Sequence, residues 1–324
     1  MKLPRRQFLH LAAGAALPAV SRVAGAQAYP TRPVRVMVGF APGQAIDIVT
    51  RIIGQRLSER LGQQFIIENR PGAGGNIATE VVARAPADGY TLLAIGSNNM
   101  INPTLYQNLN YDFIRDIAPV ASVYRVPQVM EVNPSFPAKT VPEFIAYAKA
   151  HPGEISFASA GNGSVAHVTG ELFKMMTGVN MLHVPYRGAP PALTDLIAGQ
   201  VHVMFDNMPS SIEHIRAGRL RPLAVTATTR LEALPDVPPV GDSVPGFETS
   251  AWAGIGAPKN TPAEIIDTLN REINAVLAEP AIRTRVADLG GEVLALSPSE
   301  YTRRIAEETD KWAKVIKFSG AKAE

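Results

Sequence analysis

The stretch from Val34 to Arg51 constrains this chain more than any other. It opens with a short β-rich apolar run, Val34 to Phe40, and passes through an Ala41-Pro42-Gly43 turn. Ile46, Val49, Ile53 and Leu57 then recur at helical spacing, with Asp47 in the first turn. Strand, glycine turn and helix in that order predict a β–α unit. Such a unit aims the helix N-terminus, with its unbonded N–H groups and partial positive charge, at the end of the strand. That is a ready position for an anion.

The plan repeats. Gly62 closes the first helix, Phe65 to Glu68 reads as a strand, Arg70 to Gly75 as a turn, and Ile77 to Ala85 as a helix. Tyr90 to Ile95 is a third strand, ending at a Gly96-Ser97-Asn98-Asn99 turn. Further on, Thr140 caps a helix that runs to about His151, and Ile155 to Ala158 is a strand leading into the glycine-rich turn Ser159 to Ser164. Val165 to Met176 is a helix closed by Gly178, Met181 to Pro185 a strand, Pro191 to Ala198 a helix, and Val201 to Phe205 a strand. Strands alternating with helices in this way predict parallel βαβ units. The strand before Arg70-Pro71-Gly72 matches the one before Arg187-Gly188, and Asn98-Asn99-Met100 matches Asp206-Asn207-Met208. Two similar units predict two lobes whose strand ends and loops face a ligand. After them come a strand at Leu220 to Thr226, a Pro/Gly-rich surface loop over 232 to 248, and a short strand at Trp252 to Gly256. Three helices follow, from Thr261 to about Ala278, Ala281 to Leu289 and Pro298 to Phe318. They are placed on the first lobe, which has only three strands of its own so far.

Residues 1 to 28 read as an export signal. Lys2, Arg5 and Arg6 form a basic head, Leu9 to Val20 is a mild apolar run too short for an anchor, and small residues near Ala26 and Ala28 fit cleavage. Arg5-Arg6-Gln7-Phe8-Leu9 also fits the twin-arginine pattern, beside the reading of an ordinary secretory signal. The signal holds four of the 31 basic side chains and none of the 29 acidic ones, so the mature chain carries 27 against 29. A formal charge of −2 gives no reason to expect nucleic acid or anionic membrane as a partner. Without cysteine, a thiol nucleophile and cysteine-bound metals are excluded.

Several candidate chemistries are weak. Ser164, His167 and Asp206 suggest a triad, but Gly161-Asn162-Gly163-Ser164-Val165 is not a Gly-x-Ser-x-Gly elbow, and serine at a helix start is a cap. His151, His167, His183, His202 and His214 lack helical metal spacing and read as structural or surface residues. Gly72-Ala73-Gly74-Gly75 follows the second strand of its unit and is explained by a tight turn. The turns at 41–45 and 159–164 are better placed. Facing each other across a cleft, they make a dianion site without basic side chains, with Arg70 and Arg187 either assisting or pairing with surface carboxylates.

Phe40-Ala-Pro-Gly43, Leu61-Gly-Gln63, Glu68 to Gly75, Asp88-Gly-Tyr-Thr-Leu-Leu93, His183-Val-Pro-Tyr186 and Phe205-Asp-Asn207 together resemble the Bug-type receptors, the periplasmic solute-binding proteins of tripartite tricarboxylate transporters. The resemblance spans essentially the whole mature chain. It implies an α/β, two-lobed Venus-flytrap fold, type II-like, with two crossovers and a cleft between the lobes. Lobe one is expected over 29–125 plus 248–324, and lobe two over 126–247. It implies a small-carboxylate ligand, no catalysis, no cofactor or metal, and a monomer that works with membrane permease subunits. A ligand-presenting co-receptor for a sensor protein is the alternative, and a serine hydrolase is the third. The matching ligand loops hold Phe40, Ala41, Pro42, Gly43, Gln44, Ala45 and Asp47; Gly96, Ser97 and Asn98; Ser159, Asn162, Gly163 and Ser164; Tyr186, Arg187 and Gly188; and Phe205, Asp206 and Asn207. Two positions depart from the family's habit. Gln44 stands where a second glycine is usual, and Ile46 where Thr or Ser is frequent. Both shift the expected ligand from aspartate or glutamate toward a less polar, longer or aromatic carboxylate.

Overall fold

The computed structural model describes residues 29–288 and 290–323. The expected export signal, with its expected cleavage near Ala26 or Ala28, lies outside the described residues. The chain begins with β1 (Val34–Val38), α1 (Ala45–Leu61), β2 (Phe65–Asn69), α2 (Asn76–Ala83), β3 (Thr91–Gly96), α3 (Asn98–Leu105) and α4 (Phe113–Asp116). β4 (Ile117–Val132) follows, then α5 (Val141–Ala150), β5 (Ile155–Ser159), α6 (Val165–Thr177), β6 (Met181–Pro185), α7 (Ala189–Ile197), β7 (Val203–Asn207), α8 (Met208–Arg216) and β8 (Arg221–Val225). β9 (Ser250–Pro258), α9 (Ala263–Leu277), α10 (Pro280–Asp288), β10 (Glu292–Val293) and α11 (Pro298–Ser319) complete it.

Local chemistry sets many of these boundaries. Gly62 and Gly178 end α1 and α6 in the left-handed region, at φ 68° and 71°, where a residue without Cβ is at least cost. The Thr140 side chain accepts a bond from Glu143 N–H at the start of α5, and Ser297 with Glu300 closes a full capping box on α11.

Ten strands form one curled sheet in the order β2-β1-β3-β9-β4-β7-β5-β6, with β10 and β8 both paired to β4. β1 lies between β2 and β3, all parallel, and β5 lies between β6 and β7, all parallel. β2 thus corresponds to β6 and β3 to β7, the positions the two matched sequence units predict. Each trio is joined by an antiparallel neighbour, β9 to β3 and β4 to β7. The result is two α/β lobes on one sheet.

β4 serves both. Its residues from Ile117 to Pro127 pair with β9, and from Gln128 onward it pairs with β7 and β8. The sequence gives this 16-residue strand little alternation because it is buried on both faces along most of its length. Where the chain crosses for the second time, Thr226 N–H donates to Gln128 O and Thr249 N–H to Thr226 O, at 2.8 and 3.2 Å.

The three closing helices divide. α9 buries Leu269, Ile273 and Val276 against β1, β3 and β4 residues, and α10 adds Ile282 and Val286 to the same cluster. α11 departs from the expected place on lobe one alone. Tyr301, Ile305, Trp312 and Ile316 join a cluster that contains both Met100 and Ile101 of α3 and Leu172 and Phe173 of α6. No helix among the described residues is long and apolar enough to cross a membrane.

Candidate functional site

A cavity of about 610 Å³ opens between the two lobes, within the span of small-molecule sites. Five helices present their N-terminal ends to it. Gln44, Ala45 and Ile46 belong to α1, Ser97 and Asn98 to α3, Ser164 and Val165 to α6, Gly188, Ala189 and Pro190 to α7, and Asn207 and Pro209 to α8. None of the described residues lining the cavity is Lys, Arg, His, Asp or Glu. Among them the source of positive partial charge is the helix N-termini.

The rest of the lining is largely apolar: Phe40, Ile46, Leu105, Tyr106, Tyr124, Val126 and Trp252. Ile46 is buried, while Gln44 is exposed. Trp252 Nε1 and Asn207 Oδ1 are buried polar atoms of lining residues with no hydrogen-bond partner among the described residues. Gly163 is in the left-handed region at φ 74°, and a Cβ there would collide with Leu105 Cδ2, so the α6 turn of one lobe lies directly on α3 of the other.

Of the residues expected to touch a ligand, Phe40, Gln44, Ala45, Gly96, Ser97, Asn98, Asn162, Gly163, Ser164, Gly188 and Asn207 line the cavity. Ala41, Pro42, Gly43, Asp47, Ser159, Tyr186, Arg187, Phe205 and Asp206 do not. Each functional group among these has another partner or place. The Asp47 carboxylate accepts from Gly43 N–H, Arg51 Nε and Asn69 Nδ2 at 2.8 to 3.0 Å, which ties the turn to α1 and β2. Burial opposes that charge, but the three donors prevail and hold its pKa below the ordinary value. The Tyr186 hydroxyl donates to Asp195 at 2.6 Å, and burial with that bond pushes its pKa up to about 12. Ser159 Oγ lies 2.7 Å from His183 Nε2. Phe205 packs in the core, Arg187 is exposed, and Arg70 pairs with Glu68 at 3.6 Å. Asp206 is buried and accepts from Ser210 and Ser211 at 2.5 and 3.1 Å. Burial raises its pKa, and burial together with Asp206 raises that of Glu131 well above the ordinary value.

The triad does not form. Ser164 Oγ accepts from His167 N–H as a helix cap, His167 Nδ1 accepts from Gly163 N–H, and Asp206 faces the serines of α8. Among the described residues no three His, Asp or Glu side chains are grouped to hold a metal. Ser164 precedes the first helical residue, and its N–H already donates to Gly161 O at 3.1 Å. Among the described residues, the amides that open α6 without a partner are therefore those of Val165 and Ala166. Sequence reasoning missed Asn102, Leu105, Tyr106, Tyr124, Val126, Pro209, Ala251 and Trp252, most of which come from the unread α3 and from the crossover strands β4 and β9. Trp252, one of only two tryptophans, was the one signal available.

Two α/β lobes on a shared sheet, with a cleft lined by helix N-termini and, among the described residues, no ionised side chain, define a two-lobed solute-binding protein. The sequence pattern of the tripartite tricarboxylate transporter family receptors, TctC, matches residues 49–321. BugT of Bordetella pertussis is 38% identical over 300 residues, covering 92% of each chain. Among solved structures, R. palustris Rpa4515 with adipate is 40% identical at a TM-score of 0.78, covering 90% of this chain and 98% of that one. MatC from Rhodopseudomonas palustris with bound malate is 34% identical at 0.75, covering 89% and 100%. The chain belongs to the tripartite tricarboxylate transporter receptor family, whose members are periplasmic solute-binding receptors and not enzymes.

Proposed function

We propose that this receptor captures a small carboxylate with an apolar body in the periplasm and delivers it to the membrane subunits of a tripartite transporter. One observation carries the ligand class: five helix N-termini converge on a cavity that, among the described residues, is lined by no charged side chain. Such a lining suits an anion held by backbone N–H groups, each such bond to a charged group contributing about 1.5–3 kcal/mol. The aromatic and aliphatic lining, with Ile46 at the α1 end, favours a body of several methylenes or a ring over a hydroxyl- or amino-bearing one. The malate and adipate bound by relatives support the class.

We assign lobe one to 29–125 plus 248–324 and lobe two to 126–247. The change of β4 partners from Ser250 at Pro127 to Asn207 at Gln128 supports this division. Closure then bends the chain where it passes between the lobes, along β4 at 124–132 and between Thr226 and Ser250, while α11 spans both lobes. The ligand-binding roles of the lining residues belong to this reading.

The test is a thermal-shift screen of adipate, malate, benzoate and related acids, followed by calorimetry. A ligand at 100 times its Kd stabilises the fold by about 2.7 kcal/mol. Stabilisation by adipate or benzoate above malate is expected. If no acid in the panel binds, the carboxylate reading fails.

A further inference from the structure

We infer that the stacked imidazoles of His167 and His183 are positioning residues for the ligand's carboxylate, acting as a neutral pair that fixes the Ser159–Ser164 turn at the mouth of α6. The inference rests on the carboxylate reading of the cleft. The turn is the cavity's main contact with α6, through Asn162, Gly163 and Ser164. Two of its glycines, Gly161 and Gly163, have φ of 118° and 74°, so the backbone path depends on what holds them.

His167 holds one glycine directly, and His183 reaches the other through Ser159. His167 Nδ1 accepts from Gly163 N–H at 3.0 Å. His183 Nε2 lies 2.7 Å from Ser159 Oγ, which in turn accepts from Gly161 N–H at 3.1 Å. The rings lie face to face, with centroids 3.9 Å apart and planes 10° from parallel, and Phe157 packs nearly parallel to both, 4.8 Å from His183 and 6.4 Å from His167. One packed cluster of three rings therefore stands behind both corners of the turn. Acceptance at His167 Nδ1 requires that atom to be unprotonated, so the neutral ring carries its proton on Nε2.

A histidine pair beside an anion site invites the opposite reading, in which imidazolium charge attracts the ligand. The geometry argues against it. Two cations at this spacing repel, protonation of His167 at Nδ1 breaks the Gly163 bond, and neither ring reaches the cavity lining. The charged groups facing the cluster are Lys174, 5.6 Å over the Phe157 ring, and Glu171, which pairs with Lys174 at 2.9 Å. Burial, and for His183 the neighbouring His167, hold the two rings at about 4 and about 3.

The experiment separates hydrogen-bond acceptance from packing. In His167→Asn, the side-chain oxygen can replace Nδ1 as the acceptor but the stack is lost. In His167→Leu, bulk is kept and the acceptor is lost. Calorimetry with adipate should show His167→Asn within about threefold of wild type and His167→Leu weaker by about tenfold, the worth of one positioned bond. Melting should run the other way, with Leu the more stable. Should His167→Asn fail to fold, Ser159→Ala, which cuts the other arm, is expected to weaken adipate about threefold or more with little change in melting. Imidazole ¹⁵N spectra of the wild type should show His167 neutral with its proton on Nε2, and adipate affinity should be flat between roughly pH 5.5 and 8. Affinity that follows melting temperature across the variants, or that rises as pH falls through about 6.5, overturns the inference. Failure of the wild type to bind every acid in the panel overturns the carboxylate reading itself, and this inference with it.

Discussion

Gln128→Leu is the sharpest test of how the two crossovers are held. Gln128 is fully buried at the point where β4 exchanges β9 for β7. Its Nε2 donates to Phe205 O at 2.9 Å, and its Oε1 accepts from Thr169 Oγ1 at 2.6 Å and Thr249 Oγ1 at 3.3 Å. Its own N–H donates to Thr226 Oγ1 at 2.8 Å, and that hydroxyl donates to Thr249 O at 2.7 Å. Both crossing segments and α6 meet at this one amide. Leucine has nearly the same volume, so the packing term is small and the loss is polar. Three groups lose a partner, and a buried polar group left unsatisfied costs about 1–3 kcal/mol. Two discounts apply: the Thr249 bond is long, and a helical Thr169 hydroxyl can turn back to a carbonyl of its own helix. The net expectation is about 2–4 kcal/mol. Urea unfolding should show a lower midpoint at unchanged m, and amide exchange should quicken at Gln128 and Thr226. A loss under about 1 kcal/mol, the net worth of a single ordinary hydrogen bond, would refute the view that this amide ties the crossovers together.

Other perturbations follow from the same geometry. Val165→Pro removes the first amide of α6 at a position where proline suits a helix, and Ser164, extended at φ −66° and ψ 156°, accepts a following proline. Affinity for adipate should fall about tenfold at near-constant melting temperature, and unchanged affinity would remove this amide from the site. Glu131→Gln relieves a buried carboxyl whose pKa burial and Asp206 raise. A raised folded-state pKa means the native protein holds the proton longer, so wild-type stability falls as pH rises past the ordinary carboxyl range. The variant should be the more stable at pH 7 to 8 and lose that advantage in acid, as pH-dependent melting will show. Asp47→Asn should act in the opposite sense. The lowered pKa of Asp47 contributes stability above its ordinary value that is lost as pH falls, so the cost of substitution should be present at neutral pH and shrink in acid.

Much of the fold was legible because its punctuation is local. Gly62, Gly178 and Thr140 act within one helical turn, and the βα alternation needs no distant partner. β4 was not read, because two buried faces erase the period of two and Pro119 and Pro127 interrupt its appearance as a strand. α3 began where a turn was expected, since Asn98-Asn99 suits either. Around the cavity, the sequence pointed to loops that line it but not to the direction of their side chains. Asp47, in the first turn of α1, and Asp206, near the end of β7, spend their oxygens on neighbouring donors, which only Asn69 and Ser211 reveal. Tyr124, Val126 and Trp252 reach the cavity from strands far apart in the chain, where no local pattern marks them.

The sharing of β4 also bears on how receptors of this kind can be recombined. A chimera cut inside Ile117–Val132 asks one parent's lobe to accept a strand whose other end was fitted to a different partner. An inserted or deleted residue there is worse, since shifting a strand by one position turns its inward side chains outward beyond the lesion. Register irregularities already present on the β9 side, between Pro119 and Ala121 and between Ser122 and Tyr124, leave the other end in step with β7. Crossover points for exchange are better sought in the connections on either side, 106–112 and 133–140, so that the whole strand travels with one parent. The lobes of this receptor are then separable as shapes but inherited as a pair.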